Sequence, residues 1–298
     1  MATAETSTSK RPPPHRVGSD LPFLAMLGVI SGVYLLLLVG MLLADVAYMA
    51  DSNTAAEEAL PTMIEWARPV LKPFLPIVAA LRQPAIQYSV KLTLISCLIT
   101  AILSLFVAVP IGYLLSRYRF PGRNMIDAIL DIPIVLPPLV VGLSLLMLFQ
   151  FQPFSSVRGE FVYQVPGVIL AQFMVAAAFA IRIMRATFDQ IDPRLENVAL
   201  TLGCTRAQAF GMVVLPQARN GMLTAGTLAW ARALGEFGPL LIFAGTTRHK
   251  TEVLSVSVYL ELSIGNVEGA VAVSLIMVFS AVIVLIIARV WGSRTLSL

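Results

Sequence analysis

DPRLENVALTLGCTRAQAFGMVVLP, residues 192–216, lies between two long apolar blocks and reads as a capped helix pair instead of a slack loop. Asp192 is a good N-cap, and Pro193 suits the first helical position, where its missing N–H would have no partner anyway. Leu195, Val198, Ala199 and Leu202 recur at three and four residues and form one apolar stripe. Gly203 stands where a helix end calls for a left-handed residue. Thr205 with Gln208 three residues later has the capping-box pattern that restarts a second helix, and Pro216 helps to end it. An interfacial re-entry loop would explain the stripe but not the double capping. A short helix, a glycine turn and a second short helix beside a membrane suit presentation to another protein.

The surrounding chain fits that placement. Of 298 residues, 57% are hydrophobic and 13% charged, which excludes an ordinary soluble domain. Six apolar blocks, near 21–44, 92–116, 132–152, 161–181, 220–243 and 269–288, can each cover a hydrocarbon core of about 30 Å. The expected fold is an all-α integral membrane protein of six transmembrane helices, with the 192–216 insert between the fourth and fifth. Residues 1–20 are polar and proline-bearing and read as a disordered tail. The apolar run from Leu21 to Ala44 exceeds the core of a cleaved signal peptide and is expected to be a retained anchor.

Arginines and lysines set the orientation. Lys10, Arg11, Arg16, Arg117, Arg119, Arg123, Arg182, Arg185, Arg194, Arg206, Arg219, Arg289 and Arg294 share one side and outnumber those on the other. The positive-inside bias then places both termini and the insert in the cytoplasm; a multi-pass protein of a bacterial-type inner membrane is the expectation. The 45–84 loop falls outside; its run 69–81 carries Pro69, Pro73 and Pro76, is too short to span, and reads as interfacial or packed over the bundle. A docking surface for an external partner is the other reading of that loop. RYRFPGR at 117–123 is basic and turn-forming, suited to anionic lipid.

At this point the insert resembles the EAA loop of ABC importer permeases, whose Glu-Ala-Ala, glycine, aromatic and closing Leu-Pro fall on Asn197, Val198, Ala199, Gly203, Phe210, Leu215 and Pro216. The family's usual glutamate lands on Asn197, with Glu196 one place earlier, and one residue turns a side chain by about 100° around a helix. Residues 89–146 are similar to the first half of an oxyanion-importer permease core. ARALGEFGPLLIFAG, 231–245, is similar to the signature of molybdate, tungstate and sulfate permeases. The resemblance covers about 85–290. It implies a pathway-forming subunit that is not itself an enzyme and that moves a tetrahedral oxyanion, molybdate or tungstate ahead of sulfate. The coupling residues it implies are Glu196 and the seven just named. The implied partners are an ATP-binding subunit dimer carrying ATP and magnesium, a second permease copy or paralogue, an external solute-binding protein and membrane lipid, with no nucleic acid.

Within the blocks, Gly221, Ala225, Ala229 and Ala233 form a small-residue face, either close packing inside the bundle or a pairing seam near a pathway. Arg232 and Glu236 stand one turn apart and can pair; either a structural lock or a pathway role fits, and in a pathway Arg232 would attract an anion. Pro133, Pro137, Pro138 and Gly142 mark a fixed bend or a gate in the third block. Cys97 and Cys204 match no metal or redox spacing and read as packing residues. No phosphate-binding G-x-x-x-x-G-K-[ST] loop is present, so no cofactor is expected on this chain. The chain ends at 291–298, shortly after the last block, so no regulatory extension is expected. The competing reading is an ion-coupled carrier or channel working alone, which calls for more intramembrane ionisable groups than this pair.

Overall fold

The computed structural model describes residues 21–51 and 80–294, and among them all regular structure is helical. The tail 1–20, residues 52–79 with all of the 69–81 run but its last two residues, and the last residues, 295–298, lie outside the described residues. The chain divides into two units, one ending at Ala47 and one beginning at Tyr48. In the first, α1 (Leu21–Asp51) supplies an apolar stretch, Ala25–Tyr48, of 24 residues. At about 1.5 Å per residue that is enough to cross a membrane.

The second unit is built on α2 (Pro84–Arg117) and α5 (Val165–Gln190), which pack along most of their length. The burial pattern is the reverse of a soluble protein's. The inward face of α2 carries Ser89, Thr93, Ser96, Cys97, Thr100, Ala101, Ser104, Ala108 and Gly112, while Ile95, Leu98, Ile102 and Phe106 point outward. In lipid, bulky aliphatic groups gain nothing by hiding, and helices approach where side chains are small. Gly112 is the closest approach: a Cβ there would stand 2.9 Å from the Arg185 nitrogen and from Met184 Cβ. Several buried hydroxyls are paired, Thr93 donating to the Ser89 carbonyl at 2.6 Å and Thr100 to Gln172 Oε1 at 3.2 Å, whereas Ser104 Oγ on the same face has no partner.

Two of the six apolar blocks differ from continuous spans. The third begins earlier than expected, as α3 (Arg123–Val135), and continues as α4 (Pro138–Leu148) after a bend of 113°. Leu136 and Pro137 each precede a proline, which disfavours the helical region, and both are extended (ψ 140° and 134°). The break therefore sits at 136–137, and Pro133 stays inside α3. The fifth block does not run helical to 243. α8 (Arg219–Leu234) stops after 16 residues, and a π-helical turn, Leu240–Ala244, follows Gly238-Pro239. α9 (Leu254–Ser263) and α10 (Val267–Arg294) complete the unit. By length and composition the described residues hold four spanning helices, or five with the bent pair counted as one.

The seam makes a direct prediction. Gly112→Val should lower the apparent melting temperature in detergent, for a cost of about 1–3 kcal/mol of overpacking. Gly159→Ala, where an added Cβ meets nothing within 4 Å, should not move it.

Candidate functional site

The insert follows α5 directly. Asp192 Oδ1 accepts the Arg194 N–H at 2.9 Å and opens α6 (Pro193–Thr201). Gly203 takes φ 93°, a conformation costly for a side-chain-bearing residue, and turns the chain. Thr205 and Gln208 then exchange both capping-box hydrogen bonds, at 3.3 and 2.8 Å. The next helix, α7, starts as Arg206–Ala209, widens into a π-helical turn at Phe210–Val214 and closes with Leu215–Gln217. Pro216 was expected to help end this segment, yet the helix runs through it to Gln217. The widened turn accommodates it: Leu215 donates to the Phe210 carbonyl, five residues back, so the ladder is already offset where proline has no N–H to give.

The apolar stripe of α6 divides when seen in three dimensions. Ala199 is buried, whereas Leu195, Val198 and Leu202 are exposed, Leu202 by 80%. Asn197 is exposed as well, and Met212 of α7 adds a further exposed side chain. Glu196, the acidic residue of the first turn, points the other way and is only 8% exposed. Its Oε1 accepts a hydrogen bond from the Tyr113 hydroxyl of α2. Its Oε2 lies 3.5 Å from Arg117 Nε, a charge contact without hydrogen-bond alignment. Arg117 in turn donates to the Ile191 carbonyl at 2.9 Å. The Tyr113 ring packs against Phe210 at 4.6 Å, Phe188 at 5.7 Å and Tyr118 at 6.3 Å. Arg206 donates to the Tyr118 hydroxyl at 3.0 Å, and that bond holds its guanidinium above its ordinary pKa.

Residues 108–296 match the family model described as the binding-protein-dependent transport system inner membrane component. The chain belongs to this family. It is 31% identical over 219 residues to the sulfate transport system permease protein of Salmonella typhimurium, covering 71% of this chain and 78% of that one. It is 35% identical over 186 residues to the molybdate/tungstate transport system permease protein of Pyrococcus abyssi, covering 62% and 71%. The crystal structure of a bacterial ABC transporter involved in the import of the acidic polysaccharide alginate shares the fold, with TM-score 0.67 over 92% of this chain and 96% of that one at 17% identity. The protein is thus an ABC importer permease of the sulfate and molybdate branch, a transport subunit whose ATPase is a separate chain.

In the permease the two interrupted blocks meet. A Cβ on Gly142 would stand 2.7 Å from Pro239 Cα, and one on Gly238 would stand 2.8 Å from Pro138 Cβ. Backbone lies against backbone there, which argues for a held bend at Pro137 and Pro138. The small face of α8 is occupied within the chain: Ala225, Ala229 and Ala233 are fully buried, and Gly221 abuts Thr187 of α5. Close packing, not a seam between copies, accounts for it. Gln172 of α5 donates to the Ala233 carbonyl at 3.3 Å, serving an oxygen near the end of the interrupted helix.

Just beyond that end, Glu236 is 1% exposed, and Arg232 reaches its Oε1 at 2.9 Å without hydrogen-bond alignment. The Arg232 guanidinium also lies over the Phe179 ring at 5.5 Å, and its side chain is one-third exposed. A buried carboxylate held by a single cation depends on it. Arg232→Met should therefore cost about 3 kcal/mol or more in chemical or thermal unfolding. Adding Glu236→Leu should recover most of that loss, because no uncompensated charge then remains. Equal destabilisation by the double variant would show that the pair is not the reason.

Sequence reasoning singled out the insert, the pair and the prolines, but missed Tyr113, Arg117, Phe188 and Gln172. The signal for Tyr113 was faint: an aromatic one turn before a basic helix end, with a phenylalanine near the end of the next long helix.

Proposed function

We propose that this permease carries a tetrahedral oxyanion, molybdate or tungstate ahead of sulfate, and docks a separate ATPase dimer on its insert. The observation that carries the docking half is the exposed apolar face of α6: Leu195, Val198 and Leu202 stand out from a helix whose other side is anchored. Asn197 sits on the exposed part of α6 as well, so the polar contact offered to the ATPase is an amide where the family pattern has a carboxylate. ATP and magnesium belong to that partner. With the insert and both termini taken as cytoplasmic, an external solute-binding protein delivers the anion to the opposite end.

The pathway half rests on α8. The outward faces of α2 and α10 are built of bulky groups such as Leu98, Ile102, Phe106, Phe279 and Val282. The exposed side of α8 mixes Asn220 and Thr224 with Leu223 and Leu228, and Thr227 and Ala231 are half-buried beside them. The hydroxyl and amide groups suit water and a second permease copy better than lipid. With the pathway on this face, α8 serves as the fifth of six spans and carries Arg232 in its last turn, where a partly exposed guanidinium can meet an anion. The relatives named for sulfate and for molybdate/tungstate support the substrate class, and the order within it rests on the family resemblance alone.

Docking is tested by co-purification. Leu195→Ser, Val198→Ser and Leu202→Ser together should abolish recovery of the ATPase with the permease while its melting temperature holds. Retention of the ATPase by that triple variant would overturn the docking face. Vesicle uptake of labelled molybdate should fall at least tenfold in the Arg232→Met, Glu236→Leu double variant with the ATPase still bound, and normal uptake would remove Arg232 from the pathway.

A further inference from the structure

The anchored side of α6 carries a second reading. A carboxylate beneath a docking helix has no need to be buried, since water or a partner could solvate it at the surface. Here Glu196 is inside, with one oxygen on the Tyr113 hydroxyl and the other beside Arg117. Both partners belong to the last turns of α2. α2 is the helix that runs the depth of the bundle and packs on α5 along the Gly112 seam. The same cluster gathers Phe188 and the Ile191 carbonyl at the end of α5, and Phe210 of α7. Through Tyr113 and Arg117, the ends of α5 and α7 join the same cluster as Glu196.

We propose that Glu196 is a positioning residue that ties the insert to α2 through Tyr113 and Arg117, so that displacement of α6 is carried directly into that spanning helix. α6 is joined covalently to the bundle at both ends, through the 191–192 corner into α5 and through Gly203 and α7 into α8. The tie adds a direct, non-covalent route into α2, which neither of those connections reaches, and together they hold α6 against tilting. This rests on the docking reading for what moves α6, but the tie itself is a property of the chain alone. It also gives the exposed Asn197 and the buried Glu196 different tasks, one toward the partner and one toward the bundle.

Hydrogen–deuterium exchange of the full chain in nanodiscs, alone and with its ATPase, tests this. In the chain alone, Tyr113→Phe keeps the ring packing and removes only the hydroxyl; it should raise exchange of the 193–202 amides about tenfold. Glu196→Ala should do the same, and the double variant should be no worse than Glu196→Ala, as for one shared interaction. Glu196→Gln, which keeps an acceptor for Tyr113, should fall between, and Asn197→Ala should change nothing. In the complex, trapping with ATP and vanadate should alter protection of both 193–202 and 110–117 in the unaltered protein. In Tyr113→Phe the first change should persist and the second should shrink. Unchanged exchange in the free variants, or a full 110–117 response in Tyr113→Phe, would overturn the tie. Loss of the ATPase on Glu196→Gln would also overturn it, because that carboxylate would then belong to the interface. Failure of the unaltered chain to hold the ATPase would sink the docking reading instead, and the free-chain arm would still decide the tie.

Discussion

The whole bundle depends on the close approach of α2 and α5. Gly112 lets the α2 backbone reach that of α5 at Met184 and Arg185, and the alanines from 176 to 180 extend the contact. Such proximity leaves little room for water, so polar groups in the seam call for protein partners, although Ser104 Oγ has none. Gln172 meets that demand by accepting from Thr100 of α2 and donating to Ala233 of α8, which joins three helices in one buried amide. Packing in lipid draws little from the hydrophobic effect, so small contacts and paired polar groups carry the specificity.

From that seam the two broken blocks follow. A helix that stops within the membrane leaves carbonyls without partners, which is tolerated only where protein or water covers them. The end of α8 is covered by Gln172 from one side and by the α4 start from another, through the Gly142–Pro239 and Gly238–Pro138 contacts. Two glycines, Gly142 and Gly238, and two prolines, Pro138 and Pro239, act together as a junction. The junction places Glu236 at 1% exposure and leaves Arg232 partly open. One member of the pair is thus fixed by burial while the other can still meet solvent or solute.

Local chemistry was legible in the sequence, and direction was not. Asp192, Gly203 and the Thr205–Gln208 box stand where the residue types placed them, because each is satisfied within a few residues of itself. Apolar periodicity located the spanning blocks for the same reason. It did not reveal that Ala199 turns inward while Leu195, Val198 and Leu202 turn outward, since all four belong to one helical stripe. That division is set by Glu196, whose partners lie about eighty residues earlier in the chain. Nor could periodicity find the end of α8, where an apolar run continues past Leu234 although the backbone does not. The small-residue face of α8 was equally open to both readings until Thr187 appeared beside Gly221.

The insert's length sets a final constraint on how it can work. A nine-residue helix is too short to be stable by itself, because nucleation costs more than so few hydrogen bonds return. α6 is nonetheless regular, capped by Asp192, halted by Gly203 and held from behind by Tyr113. Its exposed leucines and valine are therefore displayed by a helix that already exists before any partner arrives. A surface formed in advance loses little conformational entropy on binding, so more of the contact energy remains available as affinity. A helix fixed on its bundle side also cannot yield locally when pushed. Rigidity and display thus come from the same buried carboxylate, and the exposed face needs no charge of its own to be held in place.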